Sequence, residues 1–206
     1  MPFQTREILA TVVSASFAAG LNVYATVATL GLLARFGVLP LPPSLHLLTN
    51  DWTIGAAALL FAVEFVADKI PAFDLLWNAL QTFVRVPVAA LLAFAAASQL
   101  SPKAQIASAL LGAAIALAAH GGKLAVRSAV TPSPEPFSNS ALSLAEDAAA
   151  IALTWFATAH PYIAAVIVLL ALLVTILLVR LIWRAMSKIF RGGAAQWQRL
   201  QSPAPN

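Results

Sequence analysis

What most constrains this chain is a succession of apolar stretches, each roughly twenty residues or longer, separated by prolines, glycines and isolated charges. At about 1.5 Å of rise per residue, one such stretch matches the roughly 30 Å hydrocarbon core of a bilayer. Six can be delimited, over about 8 to 36, 52 to 70, 73 to 99, 104 to 130, 141 to 159 and 162 to 187. The breaks are Leu39-Pro40-Leu41-Pro42-Pro43, Lys69-Ile70-Pro71, Ser101-Pro102-Lys103, Thr131 to Pro136, and His160-Pro161. Only 10% of the 206 residues are charged and 61% are hydrophobic, against about 25% charged in soluble domains. The expectation is an all-α membrane protein of six transmembrane helices. Residues 1–191 would form one polytopic domain, and 192–206 a disordered cytoplasmic tail.

The formal charge of +4 and the pI near 10.0 fit the positive bias of cytoplasmic loops better than a nucleic-acid surface. No nucleic-acid partner is expected. Cysteine is absent, which removes disulfides, thiolate nucleophiles and Cys-based zinc sites. The apolar run after Glu7 outlasts the roughly 7–15 residue core of a secretory signal, so it reads as a span.

With both termini cytoplasmic, Arg6, Lys69, Lys123, Arg127, Arg180, Arg184, Lys188, Arg191 and Arg199 fall inside, and only Arg35 and Lys103 outside. That asymmetry predicts a multi-pass inner-membrane protein with an even number of crossings. Sliding the sequence by 92 residues pairs Ser16 with Ser108, Gly20 with Gly112, Leu32 with Leu124, Arg35 with Arg127, Pro40 with Pro132 and Pro42 with Pro134. A shift of 90 brings Ala67 and Pro71 onto Ala157 and Pro161. Three helices per half describe a 3+3 inverted repeat, with halves of about 8–100 and 101–191. Many transporters build a site between such halves. Chance is the competing explanation, because Ala, Leu and Pro are abundant.

Ionisable groups within such stretches each cost about 2.5–3.5 kcal/mol even on lenient insertion scales, so they call for partners or water. The second stretch carries Glu64 and Asp68 one turn apart, with Lys69 adjacent. Two carboxylates at that spacing repel when both are ionised, which makes Glu64 the first choice for a proton carrier. The third opens with the stripe Asp74, Asn78, Gln81 and Arg85 and then meets Pro87. It should be kinked or broken there, with 73–85 either part of a spanning helix or an interfacial or re-entrant segment. The fourth carries His120, Lys123 and Arg127 beside Gly121-Gly122, and the fifth Glu146 and Asp147, with Thr154 and Thr158 continuing that face. In the first stretch, Thr11, Ser14, Asn22 and Thr26 share a face.

The expected roles follow from charge. Glu64, Asp68, Glu146, Asp147 and His120 form a polar, proton-coupling cluster; Arg85, Lys123, Arg127 and Lys69 bind an anion; Asn22, Asp74, Asn78 and Gln81 line the path. The competing reading is a scaffold of ion pairs, with Arg85 snorkelling or matched to Glu64 or Glu146.

Five segments carry a resemblance: Ala18 to Tyr24, Glu64 to Pro71, Gln81 to Arg85, Ala119 to Lys123 and Leu144 to Asp147. They resemble the hallmark segments of a bacterial membrane family described only as a domain of unknown function, over roughly residues 12 to 190. Val86 and Ser140 depart from that pattern, each standing where it has proline. The resemblance implies no activity and no cofactor.

The functional expectation is a transporter, channel or lipid translocase, proton-coupled, whose basic groups engage an anionic small molecule or lipid headgroup. An intramembrane lipid-modifying enzyme and a structural or assembly protein are the alternatives. No His-Glu-x-x-His helix or Gly-x-Ser-x-Gly turn is present, and His46 and His160 lie near the outer ends of their stretches, so no metal and no catalytic residue is assigned. Membrane lipids are the expected surroundings, and the Ala- and Gly-rich faces also suit a homo-oligomer. Trp155, Tyr162 and Trp183 read as interfacial belt residues.

Overall fold

The computed structural model describes residues 4–130 and 136–201. The elements are α1 (Thr5–Leu21), α2 (Val23–Arg35), a short 3-10 helix (Pro43–Thr49), α3 (Asp51–Ala67), α4 (Pro71–Ala96), α5 (Pro102–Val130), α6 (Pro136–Ala159) and α7 (Pro161–Gln201). No strand occurs among the described residues. Pro71, Pro102, Pro136 and Pro161 each open a helix, where the missing N–H costs nothing and the fixed φ suits the first turn.

By length and composition, Leu76–Ala96, Pro102–Arg127 and Pro161–Arg184 can each cross a membrane. The 3-10 helix and α3, bent by 63°, add a fourth span when counted together. Six crossing helices are therefore not what the described residues present.

The main departure lies in the first stretch, which is two helices rather than one. Asn22 is extended (φ −150°, ψ 105°) between α1 and α2. Its N–H donates to Ala18 O at 2.9 Å, closing α1, while its side-chain Oδ1 accepts from Ala25 N at 2.9 Å, opening α2. Asn is a poor interior helix residue and a strong N-cap because its short amide competes for neighbouring backbone groups.

Beyond Asn22 the chain turns back. Leu30 lines one cavity with Ile8, Thr11, Val12 and Ala15, whereas an unbroken helix would carry it roughly 33 Å from Ile8. Thus α1 and α2 form a hairpin whose tip is Asn22.

The hairpin is held by close approach. A Cβ on Gly20 would meet Ala116 O at 2.6 Å and Ala119 Cβ at 2.8 Å, and one on Gly112 would meet Ala93 Cβ at 2.6 Å and Ser16 Oγ at 2.8 Å. Those contacts lay α1 parallel to α5, and only small residues allow backbones so near. α1 runs antiparallel to α4, since Ile8 and Val12 cluster with Ala93 and Ala97 while Gly20 and Leu21 reach Arg85. α1 also packs on α6 and α7, where Phe17 meets Val168.

One end of the bundle gathers the start of α1, the segment after α2, the α4–α5 turn and the α6–α7 junction. Ser44 Oγ donates to Ala95 O at 2.7 Å and pairs with Ser98 Oγ at 2.9 Å, and Glu7, Leu39, Thr158 and Pro161 border one cavity. α7 starts there, passes Gly122 with Thr175, and ends at the opposite face. The start of α1 and the end of α7 therefore lie at opposite ends of the bundle.

Two further boundaries differ. Residues 71–96 form one helix with Pro87 inside it, so 73–85 begins a long helix and is not a separate re-entrant segment. α7 continues through residues 192–201, which composition assigned to a tail; Ala194, Ala195 and Gln196 are good helix formers, and the next proline is Pro203. Residues 202–206 lie outside the described residues.

Candidate functional site

Polar residues from four helices and the hairpin tip converge at one level of the bundle. α5 presents His120, Lys123 and Arg127 at spacings of three and four, hence on one face. α4 supplies Asn78, Gln81 and Arg85, α3 ends with Glu64 and its cap Asp68, and α6 brings Ser143, Glu146 and Asp147. Glu64, Asp68, Arg85, His120 and Arg127 are completely buried, and Lys123, Glu146 and Asp147 nearly so.

Arg85 ties the tip to the network. Its Nη1 donates to Leu21 O at 2.8 Å and Gly20 O at 3.3 Å, the carbonyls left open where α1 stops. A cation at a helix C-terminus also meets the negative end of the helix dipole. The same Nη1 donates to His120 Nδ1 at 3.0 Å, and Nη2 pairs with Glu64 Oε1. Because Nδ1 accepts from the guanidinium, the proton of neutral His120 sits on Nε2, which faces Asn78 O and Thr82 Oγ1, both at 2.9 Å. His120 thereby has both ring nitrogens committed. Among the described residues no three His, Asp or Glu side chains gather at metal-binding spacing.

Deeper along α5, Lys123 Nζ lies 3.1 Å from Asp68 Oδ2, 3.2 Å from Glu146 Oε2 and 3.7 Å from Glu64 Oε1. Arg127 Nη2 lies 3.0 Å from Asp68 Oδ2 and 2.6 Å from Glu146 Oε2. Arg127 Nη1 adds Asp68 O at 3.4 Å, and Asn78 Nδ2 donates to Asp68 Oδ1 at 3.3 Å. Each basic group is thus matched by carboxylates, as burial requires.

Asp147 is the exception: its partner is the neutral Asn22 amide, whose Nδ2 donates to Oδ1 at 2.8 Å. Among the described side chains the network holds three cations, Arg85, Lys123 and Arg127, and four carboxyls, Glu64, Asp68, Glu146 and Asp147. Buried and without a hydrogen-bond partner among the described residues are Glu64 Oε2, Asp147 Oδ2, Arg85 Nε and Gln81 Oε1.

The structure therefore gathers nearly all the residues picked from the sequence by their cost of burial. Lys69 is not among them: its Nζ turns to Phe65 O at 2.8 Å and over the Phe65 ring. The Asp74 side chain lies outside the described residues. Of the two partners offered for Arg85, it takes Glu64, and Glu146 goes to Arg127. Sequence reasoning missed Ser143, Thr82 and the open carbonyls of Gly20 and Leu21. It also took Asn22 as lining only; an Asn inside an apolar run, with a residue like Ala25 three positions on to cap, was the available signal.

A family model described as "Domain of unknown function (DUF4126)" matches residues 9–181. The chain belongs to that family. Every group of the network lies within the matched span, so the buried charges and the hairpin tip are part of the DUF4126 domain itself. No curated protein and no solved structure matches the chain.

Proposed function

We propose that this DUF4126 protein is a membrane transport protein that moves an anion, a small molecule or a lipid headgroup, together with a proton. The observation that carries this reading is the sharing of Lys123 and Arg127 between Asp68 and Glu146 in a buried site. An anion can reach those cations only when a carboxylate lets go, and a buried carboxylate lets go at least cost by taking a proton. Anion entry and proton uptake then form one event. The tip of the α1–α2 hairpin at the same depth supports this reading, since broken helices that end inside the bilayer commonly build transport sites.

In this reading α3 to α7 cross the membrane five times and the hairpin is re-entrant, entering and leaving at one face. Lys69, Arg180, Arg184 and Lys188 then crowd the end where α7 finishes, against Arg6, Arg35 and Lys103 at the other. That bias supports a cytoplasmic end of α7 and a start of α1 outside an inner membrane. α2–α3–α4 and α5–α6–α7 run in opposite senses pair by pair, and Pro71 and Pro161 open corresponding helices, which supports an inverted repeat of those triplets; the Ser16–Ser108 and Gly20–Gly112 matches join the parallel α1 and α5 and stand outside it. Cysteines placed at Gln4 and Ser44 should be labelled from the outside and one at Ser187 from the inside.

The test is proteoliposomes loaded with a pH-sensitive dye and given gradients of phosphate, of short carboxylates and of chloride. Protein-dependent acidification is expected with one of them, and Glu146→Gln should uncouple it. Vesicles that behave alike with and without protein under every gradient would overturn the proposal. The completeness of the pairing favours a second reading, a network that only clamps helices together. There the double exchange Arg127→Glu with Glu146→Arg would restore everything the protein does.

A further inference from the structure

We propose that Asp147 is the group that holds the proton, and that its bond to Asn22 makes it the latch of the hairpin. This rests on the proton-coupled reading and adds to it a resting store of the proton, beside the Asp68 or Glu146 carboxylate that takes it up when an anion enters; the sequence had given the proton to Glu64. The cations are committed elsewhere, Arg85 to Glu64 and Lys123 with Arg127 to Asp68 and Glu146, and His120 is fixed between Arg85 and Asn78. No cation reaches Asp147 within ion-pair distance among the described residues, although it is only 4% exposed. A carboxylate left with one neutral amide in such a place is costly, whereas the neutral acid is not. Oδ1 accepts from Asn22, and Oδ2 has no partner among the described residues, so Oδ2 is where a proton binds without displacing any of them.

The Asn22 side chain works at both ends. Its Oδ1 caps α2 through Ala25 N, and its Nδ2 holds Asp147. Losing the proton from Asp147 strengthens the Nδ2 bond, because a carboxylate accepts more strongly than a carboxyl. Proton loss thus tightens the tip onto α6 and proton gain loosens it.

A cavity of about 250 Å³, bordered by Glu7, Thr11, Thr154 and Thr158, opens at the end where α1 begins. Thr154 is two turns along α6 from Asp147, roughly 10 Å on the same helix face. Ala18 on α1 and Ala150 on α6 are both fully buried.

The experiment is infrared spectroscopy of the purified full chain in lipid nanodiscs at neutral pH, reading the carbonyl band of a protonated carboxyl. The band should be present in the wild type and in Glu64→Gln, and lost in Asp147→Asn, whose amide still offers Asn22 an acceptor. A band that survives Asp147→Asn, or no band in the wild type, overturns the proposal. Carboxyl carbon shifts of aspartate-labelled wild-type protein give the same answer without a substitution. A band assigned to Asp147 in a protein that moves no protons would leave this site standing and sink the transport reading; coupled flux with Asp147 ionised would do the reverse.

Discussion

Two stretches of this chain begin alike and end differently. Ser16 and Gly20 in α1 correspond to Ser108 and Gly112 in α5, and the two motifs touch, with Gly112 against Ser16. Two residues further on stands Asn22 in one and Ala114 in the other. α5 continues as a single helix to Val130, whereas α1 stops at Leu21 and the chain doubles back. Apolar content does not separate them; a single amide, with an arginine waiting for the freed carbonyls and an aspartate for its N–H, does. A membrane chain can be turned around by one residue when the polar groups it opens are all met by partners.

The sharpest way to break this comparison is at Arg85. Arg85→Ala strips Glu64 of its closest cation and leaves the Gly20 and Leu21 carbonyls open. Removing one partner of a buried pair costs about 3–5 kcal/mol. We expect a loss of that size in reversible unfolding from bicelles, and a smaller one for Arg85→Lys, which keeps the charge but not the fork.

Asn22→Ala ranks next. It removes an N-cap, worth about 1 kcal/mol, and leaves Asp147 without its donor, worth a further 1–3 kcal/mol or so. Unfolding measurements should show a loss near that sum. Labelling of a cysteine at Gly37 tells whether the break persists: the same face as Gln4 means a hairpin, the opposite face a straightened span.

The converse substitution, Ala114→Asn, should not create a hairpin, because α5 has no cation positioned at that level to take its carbonyls. An unmatched amide in a helix interior costs about 1–3 kcal/mol. The variant should be weaker by that amount, with unchanged labelling of Lys103→Cys.

Much of the site was legible because burial in lipid makes polar residues costly wherever they fall. Glu64, Asp68, Arg85, His120, Lys123, Arg127, Glu146 and Asp147 were identifiable by cost alone, and the structure brings them together. The helix starts at Pro71, Pro102 and Pro161 were legible to within two residues, whereas Pro136, read as the end of a break, opens its helix about five residues before the expected start at 141. Direction was not. Hydrophobicity has the same value for a helix that goes on and one that comes back, so the hairpin escaped. Partner choice escaped as well: Lys69 sits next to Asp68 in sequence, but α3 has ended there and its side chain folds onto Phe65 instead.

The smallest effect belongs to the counterpart of Arg127. The shift that aligns the two motifs also aligns Arg35 with Arg127, and both pair with carboxylates, Arg35 with Asp51. Arg127 does so in complete burial, while the side chains of Arg35 and Asp51 are 45% and 77% exposed. Water already solvates the outer pair, and holding two long side chains together offsets much of its attraction. Arg35→Ala should therefore change stability by about 0.5 kcal/mol or less, and what it changes should fade at high salt. A loss comparable to that of Arg127→Ala would mean that the outer arginine is buried in lipid or in a second copy, and that the two positions share more than their alignment.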